Sequence, residues 1–247
     1  MADLAIPAER SIGHGGDKFA AIGARWAETM QLWGGLSAGD TILDIGCGPG
    51  RMAMAIGERL AWSTPLTGFD IIKADVDFAA ARITSRHPSF QFRHFDLHSA
   101  LYNPNGTLKV SEAEFPVEPG SVDFAFATSV FTHMFRQDVS HYLSQAARAL
   151  RPGATLFTTW FLMTDSALAS CQTGTSDFSF AHLRDDGTRI EVPRAPEDAV
   201  AYDLGDALIM LRDAGFIDTV FKPGAWSRTV PKAEIRHRQD VLIARRA

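Results

Sequence analysis

The sequence predicts a doubly wound α/β sheet, mostly parallel, with helices on both faces and an antiparallel strand in a C-terminal hairpin. Three observations carry this expectation. Short apolar runs alternate with helix-compatible stretches between Thr41 and Trp160, a glycine turn joins the first run to the first helix, and an acidic residue stands at the end of each of the first three runs.

The elements follow in order. Lys18 to Trp33 reads as an N-terminal helix, with Phe19, Ile22, Trp26 and Met30 on one apolar face. Thr41-Ile42-Leu43 is the first strand, Asp44 to Gly50 the turn and Arg51 to Leu60 the next helix. Pro65 to Phe69 is a second strand ending in Asp70, and a helix from about Ala74 to Arg86 has Asp75 or Asp77 as candidate caps. The third strand, Phe90 to Phe95, delivers Asp96, and the fourth is Ser121 to Ala127. A helix from about Gln137 to Arg151 stops at Pro152-Gly153, and Ala154 to Trp160 is strand five. A last helix, Leu204 to Ala214, precedes two β-like runs, Ile217 to Phe221 and Gln239 to Ala244. The linker between them, around Pro223 to Trp226, is too short for a comfortable crossover helix, so the two runs pair as a hairpin. Right-handed connections bring the acidic strand ends and the turn to one edge of the sheet.

Glycine lets a backbone reach positive φ and approach a ligand closely, and a strand-to-helix turn offers free N–H groups. A dinucleotide turn spaces its glycines as G-x-G-x-x-G, which requires glycine at position 51, where the chain has Arg51. Asp44-Ile45-Gly46-Cys47-Gly48-Pro49-Gly50 instead runs D-x-G-x-G-x-G. This resembles motif I of the class I S-adenosylmethionine-dependent methyltransferases, whose fold is Rossmann-like. The resemblance extends from about Leu36 to Leu162, with a weaker match at the C-terminus, and includes Ser129-Val130-Phe131-Thr132-His133 and the stop Leu150-Arg151-Pro152-Gly153.

The resemblance implies S-adenosylmethionine as cofactor and S-adenosylhomocysteine as product. Gly46, Cys47, Gly48 and Gly50 would pack against the methionine part, with Asp44 serving its amino end directly or through water; the alternative is a plain glycine loop. Asp70, beside Ile71, would accept both ribose hydroxyls, or else serve only as a turn or capping residue. Asp96 would accept the adenine amine with Leu97 against the ring, or be an ordinary polar strand end. Thr128 and Ser129 would flank the cofactor after strand four.

His133 is the candidate general base, since it follows strand four and its ordinary pKa of about 6.5 suits proton transfer at neutral pH; the alternative is a structural histidine holding the loop. Tyr102, Trp160 and Tyr202 are candidate walls of an acceptor cavity. Thr128-Ser129-Val130-Phe131 stands where nucleic-acid and glutamine methyltransferases carry an N-P-P-Y-like motif. Ala127 and Thr128 supply no carboxylate for a hard cation, so no metal is expected. The expected activity is methyl transfer to a small or carrier-linked molecule at oxygen. An RNA or protein methyltransferase, or a cofactor-binding protein without catalysis, are the alternatives.

Composition sets limits. The 247 residues suit one domain over 1–247, with an N-terminal helical cap at about 11–35 and insertions at about 97–120 and 164–201. Net charge is −5, which gives no general attraction to polyanions, so nucleic acid is not an expected partner. The two cysteines, Cys47 and Cys171, suit a reducing compartment, and the first ten residues lack a secretory pattern, so the expected location is cytoplasmic, without a membrane span. The turn Ser11 to Asp17 is a candidate flap over the cofactor.

Overall fold

The computed structural model describes residues 17–59 and 62–247. Residues 11–16 of the candidate flap and Leu60 lie outside the described residues. The main sheet contains β1 (Ile42–Ile45), β2 (Leu66–Asp70), β3 (Phe90–His94), β4 (Val122–Ala127), β5 (Leu150–Trp160), β10 (Phe216–Lys222) and β11 (Asp240–Arg246), in the spatial order β10-β11-β5-β4-β1-β2-β3. Pairings from β3 across to β5 are parallel, and β11 runs antiparallel to both β5 and β10. The expected doubly wound sheet with its antiparallel hairpin strand is therefore the observed one.

The order reverses between β1 and β4, which makes the carboxyl ends of these strands the natural crevice for a ligand. Helices α1 (Asp17–Thr29), α2 (Arg51–Arg59) and α3 (Lys73–Ala79) accompany the first half of the chain, and α4 (Arg136–Ala149) and α6 (Leu204–Asp213) the second. Two cores result, because strand residues alternate between faces. Leu43, Ile45, Val122, Leu143 and Leu211 share one core, while Trp26, Met30, Ile42, Ile56 and Phe124 share the other.

Several boundaries differ from expectation, each for a local reason. Asp44 belongs to β1, paired with Gly68 and Phe126 on either side, so its side chain is buried in the centre of the sheet. Helix α4 ends at Ala149, and β5 begins at Leu150 opposite Val122; Pro152 and Gly153 (φ +79°) form an irregularity inside the strand instead of a loop before it. Neither Asp75 nor Asp77 caps α3: the helix starts at Lys73 after Ile72, and Asp77 pairs with Lys73 at 2.7 Å.

The segment 164–201 folds beside the main sheet. It carries α5 (Asp165–Thr173), capped by Thr164 Oγ1 accepting from the Ala167 N–H, and the strands β7 (His182–Leu183) and β8 (Arg189–Ile190). These join β9 (Val200–Asp203) and β6 (Leu162–Met163) in a small sheet of order β6-β9-β8-β7. Phe161, Met163, Cys171, Phe180 and Trp226 give it a separate apolar core. Segment 97–120 is a loop pinned by the bridges Leu97–Leu108 and Ser99–Asn103. No helix among the described residues is long and apolar enough to cross a membrane.

Candidate active site

A cavity of about 250 Å³ opens at the carboxyl ends of β1, β2 and β4. Its floor is Gly46 to Pro49 with Arg51 and Met52; Asp70, Ile71 and Ile72 follow along β2, then Leu97, His98 and Ser99, while Thr128, Ser129 and Val130 come from β4. The far end is built from Tyr102, His133, Met134, Phe135, Asp138, Tyr142 and Glu197.

The three glycines of the turn do different things. All have positive φ, and a Cβ at Gly46 would collide with Val130 and one at Gly50 with Ile83, so those two are required by packing. At Gly48 (φ +51°) the nearest atom to an added Cβ is 3.9 Å away, so its free face borders the cavity.

Asp44 lies beneath the turn, fully buried, with neither carboxylate oxygen hydrogen-bonded. Burial holds its carboxyl well above the usual range, the negative charge of Asp70 adds to this, and Arg51 opposes it. Asp70 does line the cavity. Its oxygens accept from the N–H groups of Gly48 at 2.7 Å and Ile72 at 2.9 Å, so one carboxylate ties the glycine turn to the end of β2. Burial raises its pKa and these N–H groups pull it back. Cys47 is buried in the turn, and burial pushes its thiol up.

Asp96 stands apart from the lining. Its carboxylate accepts from Thr107 Oγ1 at 2.7 Å and Asn103 Nδ2 at 3.2 Å, which holds the loop that follows. Leu97, next to it, is buried and does line the cavity. Thr128 Oγ1 is buried without a hydrogen-bond partner, and Ser129 takes φ +57°, held by its N–H donating to Thr159 Oγ1 at 2.7 Å. A non-glycine residue in that conformation stores strain, and here it does so on the cavity lining.

His133 closes the short helical turn Phe131–His133 after β4. Its Nδ1 is 2.9 Å from the Glu197 carbonyl oxygen and 3.1 Å from the Tyr102 hydroxyl. A carbonyl oxygen only accepts, so Nδ1 carries the proton and Nε2 has the lone pair. Burial pushes the His133 pKa below its ordinary value, which keeps the ring neutral at neutral pH.

Of the other aromatic candidates, only Tyr102 reaches the cavity. Trp160 is core, its Nε1 donating to Thr158 Oγ1 at 2.7 Å, and Tyr202 is core, its hydroxyl donating to the Met134 carbonyl at 2.7 Å. Both strands bury these rings between sheet and helices, so neither forms an acceptor wall.

Sequence reasoning missed Glu197, Asp138 and Tyr142. The Glu197 carboxylate accepts from Ser99 Oγ at 2.5 Å and from the Ala100 and Leu101 N–H groups at 3.2 Å, joining the two insertions over the cavity. Nothing near Glu197 in sequence announces this, since its partners are about a hundred residues away. Asp138 sits in the first turn of α4, where an acid ordinarily suits the helix dipole. Its carboxyl is raised by burial and by Glu197.

Comparison with known proteins agrees with this geometry. The family described as "Methyltransferase domain" matches residues 43–158. The 27-O-demethylrifamycin SV methyltransferase of Amycolatopsis mediterranei is 32% identical over 132 residues, 53% of this chain and 42% of that one. The O-methyltransferase cnsE of Penicillium expansum is 30% identical over 118 residues, 48% of this chain and 37% of that one. The chain thus spans less than half the length of these curated relatives. Among solved structures, the Burkholderia thailandensis 1,6-didemethyltoxoflavin-N1-methyltransferase, with bound S-adenosylhomocysteine, superposes with a TM-score of 0.55 at 17% identity, over 91% of this chain and 78% of that one. Fold, turn and family match converge on residues 43–158 as a methyltransferase domain of the class I S-adenosylmethionine-dependent type, whose cofactor is S-adenosylmethionine.

Proposed function

We propose that this chain transfers a methyl group from S-adenosylmethionine to an oxygen of a small or carrier-linked molecule, with His133 as the general base. The observation that carries the reading is the contact of His133 Nδ1 with the Glu197 carbonyl: a proton given there leaves the lone pair on Nε2 of a residue that lines the cavity.

The cavity's residues fit the cofactor. Asp44, buried beneath the turn and not on the lining, has a carboxyl without a partner that would serve the ammonium of the amino-acid end through water, and the free face of Gly48 admits close approach. Asp70 has two oxygens on the cavity wall, each with a further lone pair for a ribose hydroxyl. Ile71 and Leu97 supply apolar surface for the adenine, Thr128 and Ser129 flank the reactive end, and Asp96 contributes by holding the loop after Leu97. Bound there, S-adenosylmethionine supplies an activated methyl group.

The protein's own work is alignment and proton removal. Tyr102, Met134, Phe135 and Tyr142 present aromatic and apolar surface that excludes water from the acceptor, and Nε2 of His133 takes the acceptor's hydroxyl proton as its oxygen is methylated. A small acceptor is favoured over RNA or protein by the two insertions, which Glu197 joins to each other at the cavity wall. The O-methyltransferase relatives point to oxygen. Residues 1–247 act in this reading as one catalytic unit, with α1 and the two insertions as its cap. The deciding experiment is incubation with methyl-labelled cofactor and small-molecule extracts: a labelled product whose methyl is ether- or ester-linked supports the reading, and label found only in RNA or protein overturns it.

A further inference from the structure

Arg51 takes no part in acceptor alignment or proton removal. It opens α2 directly after Gly50 and lines the cavity, yet its Nε is buried with no hydrogen-bond partner, and no ion pair engages it among the described residues. Its stem is pressed against α1: a Cβ at Gly23 would meet the Arg51 carbonyl oxygen at 2.5 Å and its Cγ at 3.1 Å. Leaving a guanidinium in such a place is costly unless a partner arrives.

Asp44 is in the same condition with the opposite sign. Both its oxygens are buried and unbonded, and the two groups feel each other's charge without pairing. If mutual attraction were their purpose, contact would have closed the pair. Instead a carboxyl and a guanidinium bracket the glycine turn along the chain, which is the complement of a molecule carrying an ammonium and a carboxylate on one carbon.

We infer that Arg51 binds the α-carboxylate of the cofactor's amino-acid end, opposite Asp44, and so makes the site specific for a zwitterion. This rests on the cofactor reading above. Arg51 is suited to it, since a guanidinium meets a carboxylate through two parallel hydrogen bonds. Burial depresses the Arg51 pKa, and the negative charge of an arriving carboxylate opposes that shift.

The test uses calorimetric titration of the whole chain with two ligands: S-adenosylhomocysteine, and its decarboxylated analogue, which keeps the amine and lacks the carboxylate. Wild type is expected to bind the analogue roughly tenfold or more weakly, the size of a lost charge-assisted hydrogen bond. In Arg51→Met the two affinities should come within about threefold of each other, because the residue that reads the carboxylate is gone. Equal affinities in wild type, or an undiminished preference in Arg51→Met, would overturn the inference. If Arg51→Met does not fold, Arg51→Gln, which retains polarity without charge, serves in its place with the same expectation. Failure of wild type to bind either ligand would instead overturn the cofactor reading itself.

Discussion

Two buried carboxylates of the same sheet, Asp44 and Asp240, stand in opposite conditions. Asp240, at the start of β11, accepts from the Leu162 N–H at 2.7 Å, the Gly224 N–H at 2.7 Å and Trp226 Nε1 at 2.6 Å. It fastens the main sheet to the small one, and burial, offset by these donors, holds its pKa at about 6. Asp44, in β1, has no donor at all. A satisfied buried carboxylate is a joint, whereas an unsatisfied one costs stability and is retained for what it binds. Such unsatisfied groups gather at the cavity, with Arg51 Nε and Thr128 Oγ1 on lining residues and Asp44 beneath the turn.

The sharpest division between the two regions lies in catalysis. His133→Gln keeps a hydrogen bond to a backbone neighbour but accepts no proton near neutral pH, so turnover should drop by ~10²-fold or more with cofactor affinity nearly unchanged. Because burial lowers the His133 pKa, the wild-type single-turnover rate should hold at neutral pH and decline only below the ordinary imidazole range. A variant with near-wild-type chemistry and the same pH profile would leave His133 a structural residue.

Asp44→Asn and Asp240→Asn should move in opposite directions. The first is expected to weaken S-adenosylhomocysteine binding roughly tenfold or more. It should also raise the stability of the ligand-free protein by about 1 kcal/mol, as relief of a functional-site cost does. The second should leave affinity intact and destabilise by ~1–3 kcal/mol, because an amide cannot accept from all three donors. Denaturant unfolding and calorimetry on both proteins check this, and a stability loss at Asp44 equal to that at Asp240 would erase the distinction.

Asp70 combines the two roles, since it lines the cavity and also holds the Gly48 N–H. Asp70→Ala should cost ~1.5–3 kcal/mol of cofactor binding. A 2′-deoxyribose analogue separates the parts: it should bind wild type more weakly than the parent compound, but bind the variant with little further loss. Equal penalties in both proteins would place the ribose contact elsewhere.

How much of this was legible in the sequence depends on distance along the chain. The glycine turn, Asp70 and the alternation of strands and helices are local patterns, and all were readable, as was the position of His133 after β4. Asp240 was not, because its donors at 162, 224 and 226 come together only through the fold. Glu197 was hidden for the same reason. Trp160 and Tyr202 misled because an aromatic residue on a strand reads the same whether it faces a ligand or a core.

The smallest expected effect is a pH slope at the Asp240 joint. A folded pKa of about 6 exceeds the unfolded value of ~3.9, so between these the native state binds more protons and Asp240's contribution to stability falls as pH rises. His237, stacked on Trp26 and lowered by burial to about 3, works the other way over part of that range, but equally in wild type and variant. The stability difference between wild type and Asp240→Asn should therefore shrink from pH 4 to pH 6 by about 3 kcal/mol at most. A difference constant with pH would mean that Asp240 is ionised throughout.

The most direct test of the central claim is titration of S-adenosylhomocysteine into wild type and Gly48→Val. Gly46 and Gly50 are required for packing, whereas Gly48 has open space beside it at the cavity, so a valine there should fill the site, at a cost in stability from its φ of +51° that leaves the protein folded. Binding by wild type, and none by a variant of unchanged circular dichroism, is the expected result. Unchanged affinity in a folded Gly48→Val would contradict it, and would move the cofactor away from the turn.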